Sequence, residues 1–166
     1  TATEDQLRHV IDEQSRADYD ILEDQISLAL LEFDVIQSYA HNPTLYVESV
    51  GNALFNPWVL EYAPKPERMR HIIARLGKVP AFLEQARANL VSAPGIWTQV
   101  AMEENEGNIG LVDKTLREDM PADLRAAYDA AAGPALDALR KFQEFLKTDL
   151  AKRDQWDWRL GPEKYA

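Results

Sequence analysis

Trp97, Glu104 and Asn108 are the residues whose types and spacing best suit chemistry in this 166-residue chain. If the stretch from Trp97 to Val112 is helical, they share one face with Ala101 and Leu111, because side chains three and four apart lie above one another. Two polar groups then interrupt a stripe that begins and ends apolar. A carboxylate in such a stripe needs a hydrogen bond, an ion pair or a ligand, since an uncompensated buried charge is costly or shifts its pKa. One reading sets Glu104 at the wet edge of the stripe, answering an Arg on a neighbouring helix. The other makes the stripe a cleft wall lined with acceptors.

Other constellations are weaker. A zinc site of the HExxH type needs two His one helical turn apart with a Glu beside the first, and His9, His41 and His71 each lack that context. Glu67 with His71, and His9 with Glu13, stand at i and i+4, the spacing of an ordinary solvated pair. Glu103, Glu104 and Glu106 point in different directions on a helix and cannot all chelate one ion. Neither a Gly-x-Ser-x-Gly elbow nor a Gly-rich phosphate loop occurs. Trp156 and Trp158 offer stacking surface, and the plain expectation is that they cover the edge of a core. The residues thus name no catalytic group and no metal ligand.

The elements that must position these residues read as helices. From Thr3 to about Ala40 there is neither Gly nor Pro, and Thr3 with Gln6 offers a capping box beside Glu4 and Asp5. Leu7, Val10, Ile11, Ala17 and Ile21 form a first stripe. Leu22, Ile26, Ala29, Leu30, Phe33 and Ile36 widen it, predicting a long N-terminal helix exposed at its start and embedded later. Asn42-Pro43 ends it, and Pro43 opens a helix whose core face is Leu45, Tyr46, Val50, Leu54 and Phe55, broken at Asn56-Pro57-Trp58. Pro66 starts the next, with Met69, Ile72, Ile73 and Leu76 inward and Gly77 at its end. Pro80 opens another bearing Phe82, Leu83, Ala86 and Leu90.

After the turn residues Ser92-Ala93-Pro94-Gly95, the Trp97 helix extends to about Asp119. Gly107 and Gly110 leave a notch in it, for another helix's backbone in the favoured reading and for a ligand in the other. Met120-Pro121-Ala122-Asp123 restarts the helix and Gly133-Pro134 interrupts or kinks it. Leu136, Leu139, Phe142, Leu146 and Leu150 then step by three and four along a core-facing helix. The fold class is all-α, a bundle of about six to seven helices in a single domain over residues 1–166.

Composition bounds the partners. With 28 Asp plus Glu against 18 Lys plus Arg the formal charge is -10, so nucleic acid and anionic membrane surfaces are poor partners. No apolar run approaches the roughly 20 residues of a membrane span. Cys is absent, which excludes disulfides and thiolate metal sites and leaves the compartment open. Thr1 is preceded by no initiator Met or signal pattern, and a fresh helix start at Pro162 falls near the last residue. A segment of a longer protein is the expectation.

The succession Pro66-Glu67-Arg68-Met69-Arg70-His71-Ile72-Ile73-Ala74-Arg75-Leu76, then Val79-Pro80-Ala81-Phe82-Leu83-Glu84-Gln85-Ala86-Arg87-Ala88-Asn89-Leu90, carries a family likeness. With Ile96-Trp97-Thr98, Ala101, Gly107 and Trp158-Arg159-Leu160-Gly161, the chain resembles the domain-of-unknown-function family eight hundred eighty-five, from roughly Leu7 to its last residue. That resemblance implies long, mostly helical bacterial proteins, often exported or periplasmic, with a zinc-peptidase HExxH signature well downstream. The signature is not within these residues, so no catalytic or zinc-binding role carries over to any position here. Cofactors are none in this segment, and zinc would belong to the C-terminal part of a longer protein.

What the resemblance implies for this chain is a non-catalytic helical portion that shapes one wall of a peptide-binding cleft. Trp97, Glu104 and Asn108 then become substrate-facing candidates, with the remainder of the parent chain and a peptide as partners. The principal alternative is a stand-alone helical protein-binding or scaffolding domain. A third reading is a helical metal enzyme using Glu67, His71 and Glu104.

Overall fold

The structure, a computed structural model, describes residues 13–153, 156–159 and 161–162. Six principal helices account for most of them: α1 (Glu13–Leu30), α2 (Thr44–Val59), α3 (Lys65–Leu76), α4 (Val79–Asn89), α5 (Gly95–Gly110) and α6 (Arg125–Thr148). No strand occurs among the described residues. The all-α expectation and the long N-terminal helix are both borne out, α1 running on through a π-helical segment, Leu31–Ile36. The expected capping box at Thr3 and the stripe at Leu7, Val10 and Ile11 lie outside the described residues, as does His9.

The chain divides after Ser38 into two compact units. In the first, the expectation that the helix becomes embedded is overturned: Ile26 is 59% exposed, Phe33 65%, and Ile21, Leu22, Leu28 and Leu30 are likewise open. At 100° per residue Leu22, Ile26, Leu30 and Phe33 fall within about 80° of one another, with Ile21 and Leu28 to one side, so most of these exposed apolar side chains share one face. The stripe is there, but its side chains are exposed rather than embedded. The segment ends at Gln37, in left-handed conformation, whose N–H donates to the Glu32 carbonyl.

In the second unit α6 is central, packing against α3, α4 and α5. Its Tyr128, Ala132, Ala135, Leu139, Phe142 and Leu146 are buried at helical spacing. Each fully buried Leu or Phe contributes roughly 1.5–3 kcal/mol, and the alanines permit close approach. Of the interruption or kink expected at Gly133-Pro134, the interruption does not occur, and α6 runs on through Pro134. Gly133, Pro134 and Ala130 are all exposed, so the carbonyl that Pro134 deprives of its donor faces water.

Pro57 likewise lies inside α2, which continues to Val59 rather than breaking at Asn56. A Pro in a last turn frees the carbonyl four residues before it. Here that is Ala53, and Arg75 Nη1 donates to it at 2.7 Å. The final carbonyls of α2 are met by Arg68, whose Nη1 donates to Pro57 O and Trp58 O at 2.7 Å each and whose Nε donates to Ala63 O. Arg68 is buried, and its charge is neutralised by the negative end of α2. Pro43, Pro66, Gly77 and Pro80 sit at helix ends as their chemistry predicts.

Candidate functional site

Beside one another in the second unit, α2 and α5 are tied by a close contact. Asn108 Nδ2 donates to the Val47 carbonyl at 2.8 Å, and Asn108 is only 7% exposed. Gly51, one turn on from Val47, makes the approach possible: a Cβ there would stand 2.9 Å from Asn108 Oδ1.

Around that contact opens a groove of about 670 Å³. Val47, Glu48, Asn52, Phe55 and Trp58 line it from α2, and Glu104, Gly107 and Asn108 from α5. Leu111, Lys114 and Thr115 come from a π-helical segment, Leu111–Thr115, that carries α5 on into Leu116–Asp119. The expected extent of this helix, Trp97 to Asp119, is therefore right. Its notch receives no helix backbone, the favoured expectation, because a Cβ at Gly107 or Gly110 would meet nothing within 4 Å. The two glycines open the groove instead of receiving a helix backbone.

Glu104 is half-buried, yet its Oε2 is shut off from solvent and has no hydrogen-bond partner among the described residues. The expected Arg does not answer that oxygen. Burial, and then the nearby Glu48 carboxylate, raise the Glu104 pKa above its ordinary value.

The walls are held by their own bonds. Trp58 Nε1 donates to Asp119 Oδ2 at 3.0 Å, and Phe55 stands edge-on to Trp58 with centroids 5.6 Å apart. Lys65 Nζ donates to Asp119 Oδ1, and this bond is the main reason the Asp119 pKa lies below its usual value, with Trp58 and Arg68 adding to it against burial. The π-helical segment is anchored by Tyr128, whose hydroxyl donates to the Val112 carbonyl. Burial pushes that phenol up to about 12, so it remains a donor at neutral pH. Such π turns recur at functional positions because they re-aim side chains by one register step.

Of the three residues singled out in the sequence, the structure brings Glu104 and Asn108 into the groove and leaves Trp97 elsewhere. Trp97 stands two turns earlier, about 10 Å along the helix at 1.5 Å per residue. Its ring faces Trp156 at 6.1 Å, and Trp156 stacks on His41 at 4.6 Å. Trp158 is exposed, with Arg159 over its ring. His71 is occupied with Tyr62, Nδ1 to the hydroxyl at 2.9 Å. Among the described residues no group of three or more His, Cys, Asp or Glu could hold a metal, so these side chains do not by themselves fit a zinc ion.

Sequence reasoning missed the α2 side of the groove. Phe55, expected in the core, is largely exposed, and Leu45 is too. The available signal was the line Glu48, Asn52, Phe55, spaced by four and three, which sets two polar groups and an aromatic along one face of α2.

A family described as "Bacterial protein of unknown function (DUF885)" matches residues 1–166. A solved structure described as "a putative lipoprotein of unknown function from Shewanella oneidensis" is similar in fold, with a TM-score of 0.72 at 16% identity over 91% of this chain. This chain spans 29% of the length of that protein. No curated protein matches.

Proposed function

Because the chain belongs to this bacterial family of unknown function, we propose that it is the non-catalytic helical portion of a larger zinc-metallopeptidase-like hydrolase. In that protein it supplies one wall of a peptide-binding cleft. The observation that carries the reading is the groove along α2 and α5. It is open, aromatic on one side and carboxylate-bearing on the other, and its Glu104 Oε2 has no partner among the described residues. Small-molecule and peptide sites combine such apolar walls with a few convergent polar groups. Glu104 and Asn108 serve as substrate-facing groups, whereas Trp97 contributes to a separate aromatic cluster. The zinc and the reacting residues belong to the remainder of the parent chain.

The test uses the parent protein. It should contain zinc and hydrolyse peptides, and Gly107→Leu, which fills the groove, should raise KM several-fold with kcat little changed, the signature of lost binding. A zinc-free parent without peptidase activity would refute the reading, and so would hydrolysis by residues 1–166 alone.

A second reading, a helical protein-binding or scaffolding domain, is favoured by one observation: the exposed Ile21, Leu22, Ile26, Leu28, Leu30 and Phe33 of the first unit. Apolar surface of this extent invites a partner. Replacing Ile26 and Phe33 with Ser would abolish partner capture on that reading and leave the groove unaffected.

A further inference from the structure

We propose that the α2–α5 groove binds an organic ammonium group on an apolar stem, the charge set against Glu104 and Glu48 and the stem against Phe55, Trp58 and Leu111. The inference rests on the cleft-wall reading above and specifies what the wall takes. Three features of the groove carry it.

Glu104 lines the groove with one oxygen, Oε2, buried and without a hydrogen-bond partner among the described residues, beside a second carboxylate, Glu48. Two carboxylates in one lining repel an anion and leave a cation as the group that completes them. The remaining charge on the lining, Lys114, is exposed. A hydrated divalent metal is a poor fit, because Ca²⁺ takes six to eight oxygens and no grouping of three ligating side chains occurs among the described residues. An ammonium needs only two or three acceptors, and the carboxylates of Glu104 and Glu48, both in the lining, offer them.

The rest of the lining fits a stem. Phe55 and Trp58 form a fixed T-shaped pair, and an ammonium near such faces gains a cation–π attraction besides its ion pairs. Gly107 and Gly110 leave room between the side chains of the α5 side, where a chain of several methylenes can lie. The volume, about 670 Å³, exceeds what one amino-acid side chain fills and lies within the ordinary range for small-ligand sites.

The experiment is an NMR titration of the 166-residue chain with phenethylamine and, separately, with 2-phenylethanol, which has the same shape without the charge. The amine should shift the Trp58 indole N–H and the Gly107 amide and bind at least about tenfold more tightly than the alcohol, since a charge-assisted bond is worth 1.4 kcal/mol or more. Glu104→Gln should remove most of that preference. Glu48→Gln, at an exposed position where folding is not at stake, should weaken the amine about threefold and leave the alcohol unchanged. Equal binding of amine and alcohol at the groove, or an unchanged preference in Glu104→Gln, overturns the ammonium assignment while leaving the cleft wall standing. If neither probe moves the groove signals, both readings fall.

Discussion

Asn105 and Asn108 lie three residues apart on α5 and end in different surroundings. Asn105 faces α6 and is fully buried, its Nδ2 donating to Leu139 O at 3.0 Å and to Gln143 Oε1 at 2.8 Å. Gln143 in turn donates to Met102 O, so that seam is laced in both directions. Asn108 faces α2 and makes a single bond, to Val47 O. Around Asn105 stand the buried Ala101 and Leu139, and around Asn108 stand Gly107, Gly110 and Glu104; Asn105 Oδ1 and Glu104 Oε2 are both buried without a hydrogen-bond partner among the described residues. The same amide closes one seam and merely spans the other. What separates them is side-chain volume on either side: the α6 seam is filled, and the α2 seam is kept open.

That contrast can be broken from either side, and the filled seam should suffer most. Asn105→Ala removes the donor to Leu139 O and Gln143 Oε1 and leaves a void in a packed seam, for an expected loss of about 3 kcal/mol in urea unfolding. Asn108→Ala should cost about 1–2 kcal/mol, because the Val47 carbonyl lies next to an open groove that water can enter. A result in the reverse order would mean that the α2 seam is the structural one. Tyr128→Phe removes the donor to Val112 and should also cost about 1–2 kcal/mol in thermal unfolding, while loosening the π-helical wall.

The glycines sharpen the comparison by sign. Gly51→Ala pushes a Cβ against Asn108 Oδ1, and overpacking of about 1–3 kcal/mol outweighs the gain of ~1 kcal/mol in helix propensity. Gly107→Ala meets nothing and should stabilise by about 1 kcal/mol. The smallest effect belongs to pH. The raised Glu104 pKa means the folded chain holds that proton more tightly than the unfolded one, so stability falls as pH climbs from the ordinary glutamate value through the raised one. Glu104→Gln should remove this decline. Asp119 acts in the opposite sense, its contribution present above the ordinary aspartate value and lost as pH falls through its lowered one.

Helices were legible because their ends carry strong local chemistry, Pro43, Pro66, Gly77 and Pro80 each fixing a boundary. Interior prolines were misread. Pro57 reads as a break and Pro134 as an interruption or kink, and only tertiary surroundings decide that a freed carbonyl can be met, by Arg75 in one case and by solvent in the other. Glu104 and Asn108 could be found because a polar group in an apolar stripe is a local anomaly. Trp97 shares their helical face but stands too far along the axis to join them, a distance that a face diagram suppresses. The α2 wall was not found, since nothing local tells an aromatic that lines a groove from one that fills a core.

The chemistry of the groove depends on an unpaired Glu104, and a carboxyl-detected NMR titration of that one side chain tests it directly. The expected result is a pKa above the ordinary glutamate value, falling toward it in Glu48→Gln as the neighbouring charge is removed. A value at or below the ordinary one, indifferent to Glu48→Gln, would mean that Glu104 has a cationic partner in solution, and the groove would lose its acceptor.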